Sequence, residues 1–72
     1  MNIGVRLKQL RKCQNMTQKK MAEMLLISER AYQHYESDTR EPPLSNVAKI
    51  ADYFGVSIDY LVGRTNNPEI NK

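Results

Sequence analysis

Among its 72 residues the chain has one cysteine, Cys13, so no intramolecular disulfide can form. That excludes a cysteine-stapled secreted scaffold and favours an intracellular protein. Long apolar runs are also missing. The longest, Met24 to Ile27, falls far short of the roughly 20 residues that span a bilayer. The N-terminus, Met1 to Arg6, lacks the apolar stretch of a signal peptide. The only histidine is His34, and no Cys-x-x-Cys pair accompanies it, so no set of metal ligands stands at a recognisable spacing. Nor does a Ser or Cys nucleophile lie at a spacing that suggests partnership with it. No segment alternates apolar and polar residues among β-branched neighbours, which argues against strands. These absences predict a cytoplasmic, all-α protein that is not an enzyme and uses no metal, cofactor or membrane.

Hydrophobic residues make up 40% of the chain and charged residues 26%, and the five aromatics argue against disorder. A chain this short forms one domain and buries only about 60% of its unfolded surface, which leaves little room for a deep enzyme cleft beside a core. The net charge of +3 is unevenly spread. Residues 1–36 hold seven Lys or Arg (Arg6, Lys8, Arg11, Lys12, Lys19, Lys20 and Arg30) against three Glu, whereas residues 37–72 hold four against five acids. A basic half suits a polyanion such as nucleic acid, although a charged surface also serves solubility alone.

Apolar periodicity predicts five short helices around one core. Ile3, Leu7 and Leu10 recur at helical spacing in the first. Thr17 is positioned to cap a second, with Met21, Ala22 and Leu25 facing inward. Ser28 is the expected cap of a third, in which Glu29 favours the helix dipole and Tyr32 and Tyr35 face the core. Pro42-Pro43 prevents that helix from running far past Asp38. Val47, Ile50, Ala51 and Phe54 mark a fourth, ended by Gly55 in a left-handed cap. Ser57 caps a fifth carrying Ile58, Leu61 and Val62, stopped by Gly63. The boundary expected from this reading is a domain over 1–63 and a polar tail over 64–72. Cys13 and the methionines read as core or boundary residues.

Only Leu26 and Ile27 separate the second helix from the cap of the third, so the two helices must cross steeply over a small residue, Ala22. Here the chain resembles the phage repressor and Cro-like family of helix-turn-helix proteins, with the motif over about 18–37. The likeness runs ungapped from Ile3 to Gly63. It is carried by Leu7, Leu10 and Arg11, Thr17-Gln18, Met21-Ala22, Leu25, Ser28, Glu36, Pro42, Leu44, Ile50-Ala51, Gly55-Val56-Ser57 and Leu61. Leu26 and Asp38 stand where the family usually has glycine. A left-handed backbone there costs a non-glycine residue on the order of 1 kcal/mol. Asp38 tolerates it. For Leu26, either the turn backbone differs or burial of the side chain offsets the strain.

The resemblance implies that the third helix enters the DNA major groove, with Ser28, Glu29, Arg30 and His34 at base-reading positions and Gln33 at the rim. Arg30 has the fork that pairs with guanine O6 and N7, and Glu29 can accept from cytosine N4. Thr17, Gln18, Lys19, Lys20, Thr39 and Arg40 are the implied phosphate contacts; Gln18 also matches a position that braces base-reading side chains. Arg11 and Glu36 match a structural ion pair. The implied function is a sequence-specific transcriptional regulator. Repression is favoured because the 72 residues hold no segment fit for effector binding or activation. A homodimer on two half-sites is expected, with Phe54, Ile58, Leu61 and Val62 as interface candidates. The alternative is an antitoxin-like protein-binding module on the same fold.

Overall fold

A computed structural model of the chain describes residues 3–64, and these form five helices: α1 (Gly4–Cys13), α2 (Gln18–Leu25), α3 (Glu29–Glu36), α4 (Leu44–Phe54) and α5 (Ile58–Leu61). Of the expected 64–72 tail, only Arg64 lies within the described residues. No helix among the described residues is long and apolar enough to cross a membrane. The core gathers the residues that periodicity selects: Ile3, Leu7, Met21, Ala22, Leu25, Tyr32, Tyr35, Val47, Ile50, Ala51, Val56 and Leu61. α3 packs against both α2 and α1, while α5 lies on α4.

The helix starts follow from local chemistry. The side-chain hydroxyls of Thr17, Ser28 and Ser57 accept from the backbone N–H of Lys20, Ala31 and Tyr60, at 3.0, 3.1 and 3.0 Å. Each satisfies one of the donors that a helix N-terminus leaves open. The ends share one device. After every helix a residue takes positive φ: Asn15 (54°), Leu26 (58°), Asp38 (59°), Gly55 (66°) and Gly63 (83°). The next N–H then returns to a carbonyl of the last turn, as in Ile27 N–H to Ala22 O at 3.0 Å and Thr39 N–H to His34 O at 3.1 Å. Arg64 closes α5 in this way, its N–H donating to Asp59 O at 2.8 Å.

α1 has no side-chain cap of its own. Asp38 supplies one from the far side of the motif: its Oδ1 accepts from the N–H of Ile3 at 3.1 Å and of Gly4 at 3.0 Å. Such close approach needs glycine at position 4, because a Cβ there would fall 2.1 Å from Glu36 O. At the other side of α1, Arg6 donates to Tyr60 O at 2.9 Å and lies over the Tyr60 ring, 3.9 Å from its centroid.

Three expectations are corrected. The Leu26 turn has the left-handed backbone, yet its side chain is 84% exposed, so burial does not offset the strain. Leu61 is fully buried on the inward side of α5 and belongs to the core, so it has no surface to give an interface. Cys13, at the last turn of α1, is exposed and not a core residue.

Candidate nucleic-acid interface

α3 separates two faces by helical spacing. Tyr32 and Tyr35 are buried, with their rings in edge-to-face contact at 6.5 Å. The hydroxyl of Tyr35 accepts from the buried Asn46 amide at 3.5 Å. The other face carries Glu29, Arg30 and Gln33, all exposed, with His34 half-buried and Ser37 exposed just beyond the helix. These residues stand three or four apart and share one stripe. Ser28 begins the stripe, although its hydroxyl oxygen is engaged as the cap of α3.

The stripe is anchored from behind by an ion pair. Arg11 Nε and Nη2 meet Glu36 Oε2 and Oε1 at 2.6 and 3.2 Å, a two-pronged geometry, and both side chains are nearly buried. Arg11 Nη1 also donates to Met16 O at 3.0 Å, tying the end of α1 to the following loop. Hydrogen bonding to Glu36 raises the Arg11 pKa above its ordinary value. For Glu36, burial pushes the carboxyl up, but hydrogen bonds led by Arg11 outweigh it and hold the group below the usual range. The Tyr32 hydroxyl is buried alongside without meeting hydrogen-bond geometry with either partner. Burial raises its pKa far above the ordinary phenol value, so it stays neutral.

From this pair a hydrogen-bond chain runs outward to the exposed stripe. Gln18 Nε2 donates to Glu36 Oε1 at 3.3 Å, and Gln33 Nε2 donates to Gln18 Oε1 at 3.3 Å. An ionised carboxylate only accepts, so the Gln18 amide must turn its nitrogen inward and its oxygen toward Gln33. That leaves Gln33 one N–H and its carbonyl oxygen for an outside partner. Gln18 retains one N–H.

At the end of α3, Thr39 Oγ1 lies 2.8 Å from His34 Nδ1 and 2.9 Å from Ser37 Oγ. Thr17 Oγ1 is engaged as the cap of α2, and Lys19, Lys20 and Arg40 are exposed. Among the residues with interface expectations on α4 and α5, Ile58 is 40% exposed, Phe54 and Val62 are half-buried, and exposed Tyr53 packs edge-on against Phe54. Among the described residues, no group of three or more His, Cys, Asp or Glu comes together to hold a metal.

Sequence reasoning identified the stripe and, by resemblance, the ion pair and the bracing position of Gln18, but missed Asp38 as the cap of α1, the bond from Gln18 to Glu36 and the Thr39–His34 bond. The first two join positions far apart in the chain and leave no periodic signal. The third left a faint one: two hydroxyl residues just past a helix end, within one turn of a histidine.

The helix-turn-helix family model matches residues 7–61. The chain belongs to the phage repressor and Cro-like helix-turn-helix family. Within this family it is 38% identical over 64 residues to the HTH-type transcriptional regulator YobD of Bacillus subtilis, covering 89% of this chain and 57% of that protein. It is 39% identical to the HTH-type transcriptional regulator ImmR of the same organism, covering 89% and 50%. It is 45% identical to the cryptic phage CTXphi transcriptional repressor RstR of Vibrio cholerae, covering 89% and 57%. The chain thus spans about half the length of the curated relatives it matches.

Proposed function

We propose that this helix-turn-helix chain binds double-stranded DNA sequence-specifically, as the DNA-reading part of a transcriptional repressor that acts as a homodimer. The observation that carries this reading is the α3 stripe: exposed hydrogen-bonding side chains on a helix whose opposite face is locked into the core. In the major groove, Arg30 pairs with guanine and Glu29 accepts from cytosine. Gln33, steadied by Gln18, keeps the one donor and one acceptor that match adenine N7 and N6. Lys19, Lys20 and Arg40 neutralise phosphates, helped by the first-turn N–H groups of α2. Repression is favoured by the name that RstR carries. The BcrR protein of Enterococcus faecalis, 36% identical over 62 residues, is called an activator.

One domain offers few contacts, so a pair of copies on half-sites about one helical turn apart, roughly 34 Å, supplies useful affinity. Phe54, Ile58 and Val62, with Tyr53, are the apolar surface proposed to join the copies. Selection of bound duplexes from a random pool tests the reading and is expected to return a symmetric site. In such a pool Arg30→Ala relaxes preference at one base pair, whereas Lys19→Ala weakens all sequences alike and lowers the salt slope. Retention no better than for random DNA at moderate salt sinks the proposal.

One observation favours a second reading, an antitoxin-like protein-binding module: Glu29 places a carboxylate in the reading face, where phosphates repel it. Binding to such a partner lacks the steep log-linear salt dependence of phosphate neutralisation.

A further inference from the structure

The family resemblance implies a phosphate contact for Thr39, but its hydroxyl is engaged by neighbouring side chains. Asp38 takes the left-handed turn after α3, which folds the chain back and sets Thr39 beside His34. Ser37 Oγ, Thr39 Oγ1 and His34 Nδ1 then stand in a row, at 2.9 and 2.8 Å. Each hydroxyl has one proton to give. The His34 carbonyl also lies within reach of both hydroxyls, at 3.3 Å. It already accepts the N–H groups of Thr39 and Arg40, at 3.1 and 3.3 Å. Either direction along the row meets the two shorter contacts. With the His34 carbonyl filled by two backbone donors, the direction that gives each hydroxyl proton a side-chain acceptor has Ser37 donating to Thr39 and Thr39 donating to Nδ1. A ring nitrogen that accepts carries no hydrogen, so in the neutral imidazole the hydrogen sits on Nε2.

We infer that Thr39, backed by Ser37, is a positioning residue that makes His34 a fixed N–H donor at Nε2, the ring nitrogen remote from Thr39. The inference rests on the DNA-binding reading and specifies what His34 selects there. In the major groove such a donor suits purine N7, guanine O6 or thymine O4, and it is repelled by the amino groups of cytosine and adenine. The β-branched Thr39 is stiff about χ1, which holds the ring more firmly than water would.

Two measurements test this. The first compares wild type, His34→Ala, Thr39→Val, Thr39→Ser and Ser37→Ala on a randomised duplex library. Wild type prefers an acceptor-bearing base at one position of each half-site, and His34→Ala flattens that preference. Thr39→Val weakens the same position by only about a few-fold, because part of the molecules still carry the hydrogen on Nε2 and apparent affinity falls by the fraction that do not. Thr39→Ser restores it, and Ser37→Ala gives a smaller loss there. The second follows the ring ¹⁵N resonances of His34 in the free protein. Thr39→Val shifts them by admitting the other tautomer, while Thr39→Ser leaves them in place.

A Thr39→Val loss spread evenly over all sequences, with a reduced salt slope, overturns the inference and returns Thr39 to a phosphate role. Unmoved ring nitrogens in Thr39→Val overturn it as well. If wild type retains no duplex above random, the DNA-binding reading falls and the base preference with it. The ring resonances still decide separately whether Thr39 sets the tautomer.

Discussion

Leu26 and Asp38 stand at the two ends of α3 with φ of 58° and 59°. Both are non-glycine residues in a left-handed turn, and both turns close a helix with the same pattern of returning N–H groups. Their side chains do opposite things. The Asp38 carboxylate reaches back to cap α1, giving two hydrogen bonds to donors that have no cap within their own helix. Leu26 projects into solvent with 84% of its surface exposed. One turn recovers its strain through a tertiary bond; the other has no local compensation and is sustained by the packing of the helices it joins. The Asp38 end also sits two residues from Glu36 and its ion pair, so the carboxyl end of α3 is fastened and the amino end is held only by its Ser28 cap and the core beneath.

The largest expected effect breaks the fastened end. Glu36→Ala strands the Arg11 guanidinium and should cost about 3–5 kcal/mol, measured by denaturant unfolding. An unchanged midpoint would show that the ion pair does not anchor α3. The same carboxylate gives the acid limb. Its pKa is lowered in the folded protein, so its contribution to stability is full above the ordinary glutamate range. That contribution is lost as pH falls through the lowered folded value. Melting temperatures from neutral to acid pH should fall more steeply for wild type than for Glu36→Gln.

Next comes the docking of α1 on that end. Gly4→Ala drives a methyl into Glu36 O and should cost about 1–3 kcal/mol by overpacking against backbone. Smaller effects compare the two turns directly. Asp38→Gly relieves the backbone but removes the cap of α1, and the loss of about 1 kcal/mol for a missing cap outweighs the relief. Leu26→Gly relieves strain with no bond to lose and should stabilise by up to about 1 kcal/mol. Paired melts of the two glycine variants should therefore move in opposite directions. Movement in the same direction would erase the contrast between the turns.

The sequence by itself made legible the starts of α2, α3 and α5 and the end of α4. Hydroxyl caps at Thr17, Ser28 and Ser57, the glycine at 55 and the apolar spacing are local, because a helix is stabilised by bonds spanning three or four residues. It also marked the polar stripe of α3 and, by resemblance, the Arg11–Glu36 pair. Periodicity could not say whether an apolar residue on a four-residue helix points inward, so Leu61 needed the fold to show it as core and Ile58 as surface. Only the packing of the helices decided that Asp38 caps a helix near the start of the chain, and that Gln18, a bracing position by resemblance, ties Gln33 to Glu36. Hydrogen bonds between remote positions leave no mark on composition or spacing, since the partner is chosen only when packing brings donor and acceptor within 3 Å or so.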